Sequence, residues 1–322
     1  MEAGEDKTVT EQSSDPGGPS MREKFVAWWE GYDLSGRKKR KREEEQAEAE
    51  AAGKGGGKGG PGLNRFGKPL WSASRVGVAE KIWGANFVTP GGADLIINLT
   101  KPLGLNPAAT VLDLGAGLGG STRCIAATYG AWVTGLEHSP FLVEQGMQRS
   151  VKAGLSKQAP IEQYDPENLK YGKRVDAVLA KDVLFTISNK AGLLDKIESI
   201  LKPRGQLLFT DYVVDPAHCD HPAIRKWAER EPLEPKLWSV QDVTAAIAQC
   251  NLDLRVHEDL TDYHRALIVA SIKSLTDHLE KHHLDQETKV NVIDEVELWA
   301  NRIAALGSGL RLYRFYALKG GE

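Results

Sequence analysis

Cysteine is scarce in this 322-residue chain: Cys124, Cys219 and Cys250 are an odd number without metal-ligand spacing. That excludes a disulfide scaffold, and a reducing cytoplasm is the expected setting. No run approaches the ~20 apolar residues that a helical membrane span needs. Residues 1–20 are polar and acidic and lack the apolar core of a secretory signal. The net charge is only −3, so no overall field draws the chain to nucleic acid or to an anionic membrane. No internal repeat is apparent, which excludes a solenoid. Hydrophobic residues make up 41% of the chain, enough for the core of one globular domain with an arm attached.

What is present centres on Val111-Leu112-Asp113-Leu114-Gly115-Ala116-Gly117-Leu118-Gly119-Gly120. An apolar run ends in glycines, and Ser121 to Ala127 reads as a helix. Glycine takes positive φ and lets a ligand approach the backbone, so Gly115, Ala116 and Gly117 are the expected floor of a nucleotide-like site. Glu137 closes the next apolar run, Ala131 to Leu136, about 20 positions after Gly115, where an acid can accept hydrogen bonds from both ribose hydroxyls. Asp113 stands where a dinucleotide fingerprint normally has an apolar residue. A carboxylate there suits a ligand with a positive end and no pyrophosphate, such as S-adenosylmethionine. The plainer alternatives are a turn or helix-capping role for Asp113 and an exposed strand-end acid for Glu137.

With these motifs in place, the stretch from Trp83 to Lys319 resembles the class I S-adenosylmethionine-dependent methyltransferases. Ile161-Glu162-Gln163-Tyr164 leads into Asp165 and Pro166, Val175 to Ala180 leads into Lys181 and Asp182, and Leu201 to Phe209 follows as a turn and fifth strand. The resemblance implies an α/β fold, a Rossmann-like doubly wound sheet of seven strands with a helical insertion before the last. It also implies S-adenosylmethionine as cofactor, held by Asp113, the glycine turn, Glu137, His138, Asp165, Pro166 and Lys181. Ile82 to Gly92, Lys181 to Ile187 and Thr210-Asp211-Tyr212 look like the phosphoethanolamine and sterol methyltransferase subgroup. There, residues matching Val88 and Thr89 line the cofactor, and the acid matching Asp182 faces an acceptor amine. The subgroup's Tyr–His dyad is not matched: the upstream stretch offers Trp71 and Ala79, and the histidine position reads Thr186.

The reading divides the chain into an arm, 1–70, and a catalytic domain, 71–322. The arm is expected to be largely disordered and flexible, with a short aromatic helix near 21–34 that groups Phe25, Trp28, Trp29 and Tyr32. The basic run 37–42 is balanced by the glutamates that follow it. In the domain, Pro140 to Gly154, Lys190 to Leu201, Val240 to Gln249, Asp262 to His283 and Gln286 to Leu306 read as helices. Leu252 to Leu260 and Leu310 to Leu318 read as strands, and Asp215 to Leu237 as a lid. Its His218, Cys219, Asp220 and His221 are expected to face solvent, and no metal is expected.

Asp182 and Asp211 follow sheet strands and are placed to hold a cationic head group, with Tyr212, Tyr263 and His264 as further acceptor-side catalytic candidates. The expected activity is methyl transfer to a small molecule or lipid head group, an amine above all; nucleic acid is not expected as partner, and nothing speaks to oligomeric state. The alternatives are an RNA or protein methyltransferase docked through the basic arm, and a non-catalytic cofactor-binding module.

Overall fold

The computed structural model describes residues 60–279 and 286–321. The aromatic and basic segments of the arm, 21–34 and 37–42, lie outside the described residues. The chain divides into two units, and the larger, Gly55–Leu275 with Leu284–Glu322, carries the sheet and the cavity described below.

Seven strands form one sheet in the order β3-β2-β1-β4-β5-β7-β6. They are β1 (Thr110–Leu114), β2 (Trp132–Glu137), β3 (Ile161–Gln163), β4 (Val175–Lys181), β5 (Leu201–Val214), β6 (Leu252–Asp259) and β7 (Leu310–Lys319). β1 to β5 run parallel, and β7 enters antiparallel between β5 and β6. Parallel strands are covered on both faces, which is why β1 and β4 read as nearly unbroken apolar runs. One face is packed by Leu193, Leu194 and Ile197 of α5 (Lys190–Ile200) and by Val243 and Ile247 of α7 (Val240–Gln249). The other is packed by Ile96 and Leu99 of α2 (Gly92–Thr100) and by Ile125 and Ala126 of α3 (Gly120–Tyr129). The strand order reverses beside β1, with β2 on one side and β4 on the other, so a crevice opens there at the strands' C-terminal ends.

Local chemistry sets several boundaries. α7 starts at a reciprocal capping box: Ser239 Oγ accepts from the Asp242 N–H, and the Asp242 carboxylate accepts from the Ser239 N–H. The segment expected to be a lid, 215–237, holds a helix, α6 (Pro222–Arg230), with proline in its first turn and His221 as N-cap. It was hidden because the prolines and histidines around it mark the whole stretch as a loop, although its residues are strongly amphipathic at helical spacing. His218 to His221 do face solvent.

Between β6 and β7 stand α8 (Thr261–Leu279) and α9 (Gln286–Leu306); α9 packs on α6 and on α1 (Ala73–Trp83). Ahead of α1, a turn centred on Asn64 is tied to the end of α6 through the Arg65 N–H and the Pro232 carbonyl, 2.9 Å apart. Among the described residues no helix is long and apolar enough to cross a membrane.

Candidate functional site

The crevice beside β1 holds a cavity of about 240 Å³. Its inner wall is the glycine turn after β1, where Gly115, Gly117 and Gly119 have φ of 71°, 57° and 76°. The turn's own N–H groups are largely spent inside the protein. Gly115 and Ala116 both donate to the Leu136 carbonyl (2.8 and 3.0 Å), and Gly119 donates to Ala116. Gly117 donates to Glu137 Oε2 at 2.9 Å, while Glu137 Oε1 accepts from the Ser139 N–H at 2.8 Å. Burial raises the Glu137 carboxyl above its ordinary range. His138, next in sequence, lines the cavity with a buried Nδ1 that has no hydrogen-bond partner among the described residues.

Val88, Thr89, Gly115, Ala116, Gly117, Glu137, His138, Pro166, Lys181 and Asp182 all meet at this cavity. Lys181 Nζ donates to Thr89 Oγ1 (3.0 Å) and to Asp182 Oδ2 (2.8 Å), and Thr210 Oγ1 donates to Asp182 Oδ1 (2.6 Å). Asp182 has φ of 57°, a strained value for a residue with a side chain. Burial works against its charge, but Lys181 and the hydrogen bonds outweigh that and hold the carboxyl below its usual range.

Six expected site residues are not in the lining. Asp113 lies beneath the turn, accepting on Oδ2 from the hydroxyls of Ser121 (2.5 Å) and Thr122 (2.7 Å) in the first turn of α3 rather than capping its backbone. Burial pushes its carboxyl up to about 6. Asp165 is exposed and accepts from the Glu167 N–H (3.0 Å), while its neighbour Pro166 turns to the cavity. Tyr263 is 49% exposed on the surface. Asp211 is buried below the loop after β4: Oδ1 accepts from the Phe185 N–H (2.7 Å) and Oδ2 lies 3.7 Å from Lys190 Nζ. Burial drives Asp211 up to about 7 and Lys190 down from its ordinary value.

Tyr212 and His264 are fully buried partners, with Tyr212 Oη 2.7 Å from His264 Nε2. Burial pushes His264 down from 6.5 to about 3. The folded protein therefore keeps this ring neutral while the unfolded chain protonates it below its ordinary pKa. Its contribution is present above pH 6.5 and is lost as pH falls toward 3. Urea unfolding at about pH 7.5, 5.5 and 4.5 should show the stability advantage of the wild type over His264→Gln shrinking at each step down. A gap that widens would mean that the folded state holds the imidazolium.

The outer wall is built by residues that the sequence reading did not single out. Glu295, Trp299 and Arg302 come from α9, Arg75 from α1, and Glu231 from the C-terminal end of α6. Glu295 Oε2 accepts from Arg75 Nε (3.1 Å) and its Oε1 from Trp299 Nε1 (2.9 Å). Glu231 Oε1 accepts from Arg302 Nε (2.9 Å) and Nη2 (2.6 Å), and from the Trp227 indole. The Arg302 guanidinium also lies over the rings of Trp299 (4.3 Å), Tyr212 (5.1 Å) and Phe185 (5.6 Å). The only sequence signal was the spacing of Glu295, Trp299 and Arg302, which puts all three on one helical face.

Known proteins have related sequences, and solved structures share this fold. The phosphoethanolamine N-methyltransferase of Plasmodium falciparum is 27% identical over 234 residues, which are 71% of this chain and 85% of that one. Phosphoethanolamine N-methyltransferase 1 of Zea mays is 30% identical over 138 residues, 42% of this chain, and the chain spans about a quarter (27%) of that relative. Among solved structures, phosphoethanolamine N-methyltransferase 2 of Haemonchus contortus superposes with a TM-score of 0.68 at 20% identity, over 79% of this chain and 62% of that one. Residues 105–289, which include the glycine turn, Glu137, Asp182 and most of the sheet, match the family described as methyltransferase domain, and the chain belongs to that family.

Proposed function

We propose that this protein transfers a methyl group from S-adenosylmethionine to a small-molecule amine. The observation that carries the cofactor is the state of the glycine turn. The N–H groups of Gly115, Ala116, Gly117 and Gly119 are taken by protein acceptors, so these four are not free to hold a pyrophosphate. The residues present fit an adenosine carrying an amino acid instead. Glu137 lines the cavity as the acid proposed for the ribose, Pro166 and Tyr164 line it as well, and His138 Nδ1 is a buried polar atom without a partner among the described residues.

When bound, S-adenosylmethionine supplies an already activated methyl on a sulfonium, so no protein nucleophile is required. The chain's own work is to place the acceptor lone pair in line, keep water out and leave the amine unprotonated. The aromatic wall of Trp71, Phe185 and Trp299 excludes water from the acceptor half. Lys181, bridging Thr89 and Asp182, fixes the loop on which acceptor and methyl must meet. The names of the relatives support a small amine-bearing acceptor.

Calorimetry should give one site for S-adenosylmethionine and no binding of NAD. Glu137→Ala should weaken cofactor binding by roughly 1.5–3 kcal/mol, the range for hydrogen bonds to a charged group. The maximal rate should change far less, because the ribose contact is equal in ground and transition states. Binding of NAD without S-adenosylmethionine would overturn the cofactor. A maximal rate that collapses at unchanged affinity would remove Glu137 from the ribose.

A further inference from the structure

Four carboxylates line the cavity: Glu137, Asp182, Glu231 and Glu295. In three of them both oxygens already accept a hydrogen bond. Glu137 takes the Gly117 and Ser139 N–H groups, Asp182 takes Thr210 and Lys181, and Glu295 takes Trp299 and Arg75. Glu231 differs. Its three donors, Arg302 Nε, Arg302 Nη2 and Trp227 Nε1, all converge on Oε1. Among the described residues none donates to Oε2. The side chain is only 4% exposed, yet Oε2 is not among the sealed unpartnered atoms of the fold, so it retains accessible surface. A carboxylate oxygen held in a mostly dry wall without a donor is costly unless a ligand supplies one.

From this we infer that Glu231 is the acceptor-recognition carboxylate, taking an N–H of a primary or secondary amine on Oε2. The inference rests on the proposed methyl transfer to an amine. Arg302 and Trp227 anchor Oε1 and leave the carboxylate no freedom to turn away. Phe185 and Trp299 present ring surface beside it, which favours a nitrogen carrying partial or full positive charge. Asp182, the acid expected to face the amine, is already paired with the Lys181 ammonium, whose charge opposes a second cation there.

The geometry has a consequence for the product. A neutral primary or secondary amine can donate an N–H to Glu231 and still offer its lone pair to the methyl. In each transfer the N–C bond forms, the S–C bond breaks, and the displaced N–H proton goes to solvent. A neutral tertiary amine has a lone pair but no N–H, and its protonated form has an N–H but no lone pair. Methylation should therefore stop at the dimethylamine.

The test uses the full-length protein with ethanolamine, phosphoethanolamine and phenethylamine, each also as its N-methyl and N,N-dimethyl form. Readouts are S-adenosylhomocysteine release, the mass of the product, and calorimetry on protein loaded with S-adenosylhomocysteine. At least one primary or N-methyl amine should bind and turn over, with kcat/KM at least tenfold above that for its N,N-dimethyl form. Glu231→Gln places an amide N–H where an acceptor is needed, and should raise KM for the amine at least tenfold at unchanged S-adenosylmethionine affinity. The double variant Glu231→Gln/Arg302→Met keeps the cluster neutral and should remain impaired. Recovery in the double variant would assign Glu231 to pairing Arg302 alone and overturn the proposal. A trimethylated product formed at a comparable rate would overturn it, as would binding of none of these amines by protein that binds S-adenosylmethionine. Loss of S-adenosylmethionine binding in the wild type would instead overturn the reading beneath it.

Discussion

Gly115→Ala should lower S-adenosylmethionine affinity at least a hundredfold, about 2.8 kcal/mol at 1.4 kcal/mol per tenfold. Two effects add. A Cβ at this position would sit 2.0 Å from Val183 Cγ2, and the residue's φ of 71° is one that side chains rarely adopt. Val183 lines the cavity on the loop that also carries Asp182, so relieving the overlap displaces the wall on which cofactor and acceptor meet. Gly154→Ala is the control for backbone strain alone: φ is 72° there and nothing lies within 4 Å of an added Cβ. It should cost about 1 kcal/mol of stability and leave cofactor affinity unchanged. Calorimetry on both variants decides the matter, and wild-type affinity in Gly115→Ala would mean that the turn does not form the cofactor floor.

Asp211→Leu should destabilise the fold by about 3–5 kcal/mol, the usual cost of breaking one side of a buried ion pair. Lys190 is 1% exposed, and among the described residues its Nζ makes no hydrogen bond. Without Asp211 its ammonium is left with the Trp238 ring at 5.3 Å and the charge of Asp242. The substitution also removes the acceptor of the Phe185 N–H, which holds the loop after β4 in place. The double variant Lys190→Met/Asp211→Leu removes the stranded charge and should recover most of the loss, because replacing a whole buried pair by apolar residues is often neutral. Denaturant midpoints measure both. Equal loss in the single and double variants would put the cost on the Phe185 bond rather than on the charge.

These two positions mark the boundary of what the chain reveals without its structure. Gly115 was legible because strand, turn and helix are consecutive, and three glycines at alternate positions have few other uses. Glu137 was legible for the same reason, since its distance from the turn is set by one helix and one strand. The two long helices before the last strand were legible from their 3.6-residue periodicity. Asp211 and Tyr212 were visible as residues on the fifth strand, but not by what they face. Neighbours on a strand point to opposite faces, and a central strand is buried on both. One of them therefore meets Lys190 of α5, and the other meets His264 of α8.

By itself the sequence determined the parallel sheet, the glycine turn, the acid that follows it and the helices that cover them, because each depends on residues near one another along the chain. Only the tertiary structure decided which polar groups reach the cavity. Asp113 and Asp165 turn to local N–H or O–H donors instead, and Tyr263 faces solvent. Glu231, Arg302, Glu295 and Arg75 come together from the end of α6, from α9 and from α1. A buried charge must find its partner wherever the packing of helices brings one, and no spacing along the chain encodes that meeting.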